Sequence, residues 1–450
     1  MASVNVAVKT AAPTTYEGGI AKRITPEMAL RRTVMSCMLW EDTFYEDGES
    51  VADRIKNLIP KVHPITCSSI AIEARTKMHL RHVPLLVVRE MARHPSYRPW
   101  VSRTLEEVIQ RPDELTEFLA IYWKDGKDQP IAASVKKGLA AAFLKFNPYQ
   151  LAKYNRDGAV KLRDVMFMVH PKPTTKEQEN TFRALAEETL KAPDTWEVAL
   201  SAGEDKKETF TRLIKEKKLG GLAFIRNLRN MNDSQVSVPT IREGFKNLQT
   251  DKILPYRFIA AARHAPNWEP SLEEAMFKSI EHLPKLPGRT VLLVDVSGSM
   301  DTALSAKSDM HRVDAACGLA VLLRELCEEV KIFSFSDVIK IVPPRRGFAL
   351  RDAINTSQTH GGTHLAAAIK TIDAKFDYDR LIVITDEQSA DGIVNPKGHG
   401  YVINVAAYKN GVGYGKWTHI DGFSEQVVDY IRELEYWEGS ELSSSKARRT

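Results

Sequence analysis

An α-helical repeat region followed by a doubly wound α/β domain is the architecture this sequence predicts, and three observations predict it. Over residues 21–283 apolar positions recur with helical spacing, interrupted by Pro/Gly breaks every few tens of residues. After LPKLPGR the period changes. TVLLVDV, KIFSFS, LIVITD and YVINVA are short, continuous apolar runs, separated by helical stretches such as VDAACGLAVLLRELCEEV and THLAAAIKTIDAKF. Strands apolar on both sides, alternating with helices, imply a parallel sheet covered on both faces. Charge splits at the same place: residues 1–288 carry a net +8 and residues 289–437 a net −4.

The elements follow in order. Residues 1–20 are small and polar and are expected as a flexible arm. Residues 21–285 form the helical module. There ITPEMALRRTVMSCMLW offers Thr25 as N-cap, Pro26 at the first helical position, and Leu30, Val34, Cys37 and Met38 on one stripe. TLEEVIQ and SLEEAMFKSIEHL read as capping boxes, Thr104 with Glu107 and Ser271 with Glu274, and Asp113 reads as the cap of PDELTEFLAIYW. Short helices joined by breaks suggest an α-solenoid, although no sequence repeat stands out. Residues 286–437 form the α/β domain, and 438–450 a flexible tail. No apolar run reaches 18 residues, so no membrane-spanning helix is expected. The N-terminus lacks signal-peptide architecture, and four scattered cysteines without CxxC spacing argue for reduced thiols, hence a cytoplasmic protein.

Chemistry concentrates in VLLVDVSGSMD. Asp295, Ser297 and Ser299 follow the first apolar run as D-x-S-x-S, Thr363 follows the glycines of HGGTH, and Asp386 ends LIVITD. In a doubly wound sheet, ligands bind beyond the carboxyl ends of the strands. Two acids and three hydroxyls make an all-oxygen set suited to Mg²⁺ or Mn²⁺ rather than zinc. So few charged ligands would leave the ion positive, favouring a carboxylate or phosphate from a partner, such as an acidic protein ligand. Gly298, Gly361 and Gly362 would let the backbone pass close to the ion. A strand end with ordinary turn residues explains the first motif alone but not three in order. Neither serine sits in a G-x-S-x-G elbow, so no enzyme is expected.

The helical module carries basic clusters. IAASVKKGLAAAFLKFNPYQLAKYNRDGAVKLRDVMFMVH, residues 131–170, sums to +5 and sets Lys136, Lys137, Lys153, Arg156, Lys161, Arg163 and His170 among Phe143, Phe146, Tyr149 and Tyr154. REMARHPSYRPWVSR adds Arg93 and Arg98. Cations contact phosphates, and aromatic rings stack unpaired bases. The plain alternative is solvated helix faces over an aromatic core.

DVSGSM, GGT and ITDEQS resemble the metal-ion-dependent adhesion site of a von Willebrand factor A domain, with Asp295, Ser297, Ser299, Thr363 and Asp386 at its five positions. AKYNRDGAVKLRDVMFMVHPKP, GLAFIRNLRNM and GFSEQVVDYIRELE resemble the Ro ribonucleoproteins, in which a TROVE module of HEAT-like helical repeats closes into a ring and precedes such an A domain. The resemblance covers about residues 21–437. It implies single-stranded 3′ ends of misfolded RNA in the ring cavity, small Y-like noncoding RNA on the basic outer surface, and RNA quality control with an exoribonuclease as partner, the protein being a monomer. It places Lys153, Arg156 and His170 near RNA; Asp157 departs from the family, which often has a basic residue there. The competing expectation is a metal-dependent protein-adhesion or scaffold module whose helical solenoid binds protein.

Overall fold

The computed structural model describes residues 12–35, 47–126, 130–155, 158–251, 253, 255–304, 309–406, 408–422 and 427–435. Cys37 and Met38 of the first helical stripe, Arg156 and Asp157, and the expected tail 438–450 lie outside the described residues. The chain divides into a sheet unit, residues 285–423 with 1–32 and 43–46, and a helical unit that holds the rest. No described helix is long and apolar enough to cross a membrane.

In the sheet unit, Leu286–Asp295 (β1), Cys327–Phe335 (β2), Ile339–Ile341 (β3), Arg380–Thr385 (β4), His399–Asn404 (β5) and Thr418–Asp421 (β6) form one sheet. Its order is β3-β2-β1-β4-β5-β6, parallel throughout except for the β2–β3 pair. Alternate residues decide the two faces. Val291, Leu293, Phe335, Val383 and Val402 pack on Leu365, Ile369 and Ile372 of the helix Leu365–Lys375. The helix Arg312–Leu326, buried almost all round, packs on β1 and β2. The stretch CEEV, read as the end of that helix, opens β2 instead. β3, β6 and the helix Gly347–Asn355 carry too little apolar pattern to have been anticipated.

The expected arm differs from expectation over its described part. Thr14 bridges to Ile20, Thr15 Oγ1 donates to the Ser389 carbonyl at 3.0 Å, and the Tyr16 N–H donates to Gln388 Oε1 at 2.8 Å. Arg32 then reaches the core of the sheet unit. Its guanidinium pairs with Glu387 and donates to the carbonyls of Tyr408 and Asn410. Glu387 also faces His419 Nε2 at 2.8 Å, and His419 Nδ1 lies 3.2 Å from Asp421. Burial opposes these charges, but each acid has its cation: Arg32 and His419 hold Glu387 far below the usual carboxylate range. Asp421 and Glu387 outweigh burial at His419, which is pushed up to about 9.

The helical unit is built from packed helix pairs, among them Pro64–Thr76 with His82–Arg93, Arg98–Val108 with Ala133–Phe143, and Pro255–His264 with Glu269–Ile280. Gly138 marks the closest crossing, since a Cβ there would lie 2.8 Å from the Ser102 carbonyl oxygen. Thr25 caps its helix as expected, accepting from the Met28 N–H at 3.2 Å. Thr104 and Ser271 do not cap. They lie inside Arg98–Val108 and Glu269–Ile280, which start earlier at Pro-bearing 3₁₀ turns, and Thr104 donates back to the Trp100 carbonyl. Asp113 is the first helical residue, not the cap, and pairs with Arg111 and Arg81. Residues 427–435, assigned to the α/β domain from sequence, group with the helical unit, where Arg432 donates to the Pro284 carbonyl at 3.2 Å.

Removing one member of a buried pair strands the other. The change Arg32→Met is therefore expected to lower stability by about 3–5 kcal/mol, and the double change with Glu387→Gln to restore most of the deficit. Urea unfolding of the full chain measures both; an Arg32→Met protein as stable as wild type would mean that the pair does not hold this unit together.

Candidate functional site

The five predicted metal ligands gather at the carboxyl edge of β1 and β4, where the sheet order reverses direction. Asp295 ends β1 and Asp386 follows β4; both are fully buried. The Ser297 N–H donates to Asp295 Oδ1 at 2.9 Å, the Ser297 and Ser299 hydroxyls lie 3.3 Å apart, and Ser299 Oγ donates to Asp386 Oδ2 at 2.6 Å. Thr363, 3% exposed, belongs to a loop tied to both others: Gly298 N–H donates to the Gly361 carbonyl at 3.0 Å, and Ala390 N–H to the Thr363 carbonyl at 2.9 Å.

Two of the glycines make room for an acid. A Cβ on Gly361 would lie 1.8 Å from the Asp337 carboxylate, and one on Gly362 2.9 Å from it. Asp337 caps this loop by accepting from the Gly362 N–H at 2.8 Å. At Gly298 a Cβ would have only ordinary van der Waals neighbours, the His360 and Gly361 carbonyl oxygens.

Sequence reasoning missed two members. Thr385 Oγ1 donates to Asp295 Oδ2 at 2.5 Å. Arg312, 3% exposed, sets its Nη1 3.4 Å from Asp386 Oδ2 and 3.4 Å from the Ser299 carbonyl oxygen. The signal for Arg312 was a cation at the start of the next helix, which could have been read as an ordinary exposed helix residue.

Burial, then the neighbouring Asp386, pushes Asp295 up to about 7. Two buried carboxylates side by side favour a shared proton or a cation. Oxygen donors of this kind, with two acids and three hydroxyls, fit Mg²⁺ or Mn²⁺. Among the described residues no three His, Cys, Asp or Glu side chains cluster as metal ligands, so the donor set here depends on hydroxyls.

The predicted RNA-binding residues divide by their neighbours. Lys136 and Lys137 are exposed on Ala133–Phe143, and Arg98 is exposed beside a cavity of about 800 Å³ that Arg93, Tyr122 and Asp125 also line. The other cations face acids: Lys153 lies 3.9 Å from Glu197, Lys161 3.8 Å and Arg163 3.2 Å from Glu188, and Arg93 3.0 Å from Asp125. His170 is the left-handed C-cap of Leu162–Val169, before Pro171, so it has a backbone role as well as an exposed ring. Phe143 and Phe146 are buried core, whereas Tyr149 is 55% exposed. Tyr154 lies under the Arg111 guanidinium at 4.7 Å.

With the geometry in place, comparison with known proteins gives two family matches: the TROVE domain over residues 27–191 and 180–281, and the von Willebrand factor type A domain over residues 290–388. The crystal structure of the Deinococcus radiodurans Ro protein is similar, with a TM-score of 0.59 and 18% identity, over 89% of this chain and 97% of that one. No curated protein sequence matches.

Asp295 also gives this unit a pH dependence. With divalent ions chelated, a carboxyl raised from about 3.9 unfolded to about 7 folded holds its proton more tightly in the native state. Native stability then falls as pH rises from about 4 through 7, by on the order of 4 kcal/mol. Asp295→Asn is expected to melt higher than wild type at pH 8 in EDTA and alike at pH 4; equal melting at both pH values would show that Asp295 is ionised throughout.

Proposed function

Because the chain belongs to the TROVE-domain family of Ro ribonucleoproteins, we propose that it is an RNA-binding protein of the Ro type. Its helical unit holds small Y-like noncoding RNA on a basic face and the single-stranded 3′ ends of misfolded RNA in a cavity between helices. Quality control of those RNAs follows, with an exoribonuclease as the partner that degrades them. One observation carries the reading: exposed cations (Lys136, Lys137, Arg98) sit on the unit that matches the TROVE domain, and Lys153, Lys161, Arg163 and Arg93 stand in surface ion pairs. Such pairs contribute only about 0–1 kcal/mol, so phosphate can replace the carboxylate at small cost. Exposed Tyr149 and His170 offer flat faces to unpaired bases.

The sheet unit is proposed to bind Mg²⁺ or Mn²⁺ through Asp295, Asp386 and the hydroxyls of Ser297, Ser299 and Thr363. A bound ion would supply an electrophilic centre for a carboxylate or phosphate. Binding rather than catalysis is the proposed role. Ser299 Oγ is committed to Asp386, and no histidine is hydrogen-bonded to either serine among the described residues.

Binding of single-stranded RNA should weaken steeply with salt. Replacing Lys136 and Lys137 together by Ala should reduce the log–log salt slope by about 0.7 for each phosphate that these lysines neutralise. A filter-binding series from low to moderate salt measures it. RNA that binds no better than heparin, with an unchanged slope in the double variant, would remove the RNA reading.

A further inference from the structure

The oxygen cage already has a cation in its wall. Arg312 opens the helix Arg312–Leu326 and is 3% exposed, and its Nη1 lies 3.4 Å from the carboxylate of Asp386. A guanidinium keeps its charge at every pH a folded protein meets, and this one cannot swing into water. Asp386 is held besides by Ser299 Oγ on the same oxygen and by the Gln388 N–H, 3.3 Å away, on the other. Any ion that takes Asp386 therefore shares that carboxylate with Arg312.

We propose that Arg312 sets the charge of this site: it lowers affinity for the bare divalent ion and leaves the loaded cage positive, so that metal and an anionic ligand bind cooperatively. The proposal rests on the metal reading of Asp295 and Asp386. Two carboxylates neutralise one dication, and Arg312, 3.4 Å from Asp386, adds a further positive charge beside the ion. Inside a dry site that excess is poorly screened. A carboxylate or phosphate oxygen arriving at the ion removes it. Anion and metal then raise each other's affinity by the same factor, as linkage requires.

A simpler role for Arg312 is to pin the D-x-S-x-S loop through the Ser299 carbonyl, at 3.4 Å. The two roles predict opposite signs. If Arg312 only pins the loop, removing it loosens the donors and weakens metal binding. If it sets the charge, removing it tightens metal binding. Arg312→Gln keeps a donor and loses the charge, Arg312→Met loses both, and Arg312→Lys keeps the charge.

The experiment is a Mn²⁺ titration of the full chain followed by calorimetry, with and without excess acetate as the anionic probe, and with melting in EDTA to verify folding. Arg312→Gln and Arg312→Met should bind Mn²⁺ about tenfold tighter than wild type without acetate, and Arg312→Lys should stay within about threefold. Acetate should tighten Mn²⁺ binding in wild type more than in the two neutral variants. Unchanged or weaker Mn²⁺ binding in whichever neutral variant folds overturns the proposal and leaves the metal reading intact. If folded wild type takes up no Mn²⁺ with or without acetate, both fall together.

Discussion

Four buried carboxylates at one edge of one sheet dictate the arrangement around them. Asp295, Asp386 and Glu387 are fully buried at the ends of β1 and β4, and Asp421 at the end of β6 is 5% exposed. Charges so placed are tolerated only with partners. Three cations answer them: Arg312 at Asp386, Arg32 at Glu387, and His419 between Glu387 and Asp421. The three cations serve three of these four acids. The fourth, Asp295, accepts from the neutral Ser297 N–H and Thr385 hydroxyl and is the carboxyl pushed up to about 7. Among these four acids, the candidate ligand Asp295 is the one whose described contacts are neutral donors.

That constraint explains where distant parts of the chain go. Arg32 stands 355 residues from Glu387, and its placement makes the N-terminal segment part of the sheet unit rather than a loose arm. Glu387 takes a left-handed backbone, φ 60°, which turns its side chain toward the buried cations while Asp386 before it serves the cage. Neighbouring acids on one short loop therefore have separate tasks, one held ionised by Arg32 and His419, the other offered to the site.

The sequence made the cage legible because its information is local. An apolar run that ends in D-x-S-x-S, a Gly-Gly-Thr and a strand-end acid each mark a strand terminus, and a parallel sheet brings such termini together. The compensating cations were illegible for the opposite reason: nothing near Arg32 or His419 announces an acid hundreds of residues or a whole strand away. In the helical unit the existence of helices was clear from period, but their starts were not. Thr104 and Ser271 carry capping-box spacing, yet helices begun upstream at Arg98 and Glu269 absorb them. Phe143 and Phe146 looked like stacking platforms and are core, because sequence alone does not say which face of a short helix is inward.

Buried and exposed ion pairs hold positive charge in physically different ways, and the difference decides which cations can meet a polyanion. In the sheet unit Arg32, Arg312 and His419 are buried in pairs whose disruption strands an acid, so they are unavailable to any external phosphate. In the helical unit Lys161 and Arg163 pair with exposed Glu188, at 3.8 and 3.2 Å, and solvent and salt already weaken those pairs. A net charge of +5 for the whole chain conceals this. At the carboxyl edge of the sheet, by contrast, Arg32, Arg312 and His419 are committed to buried acids.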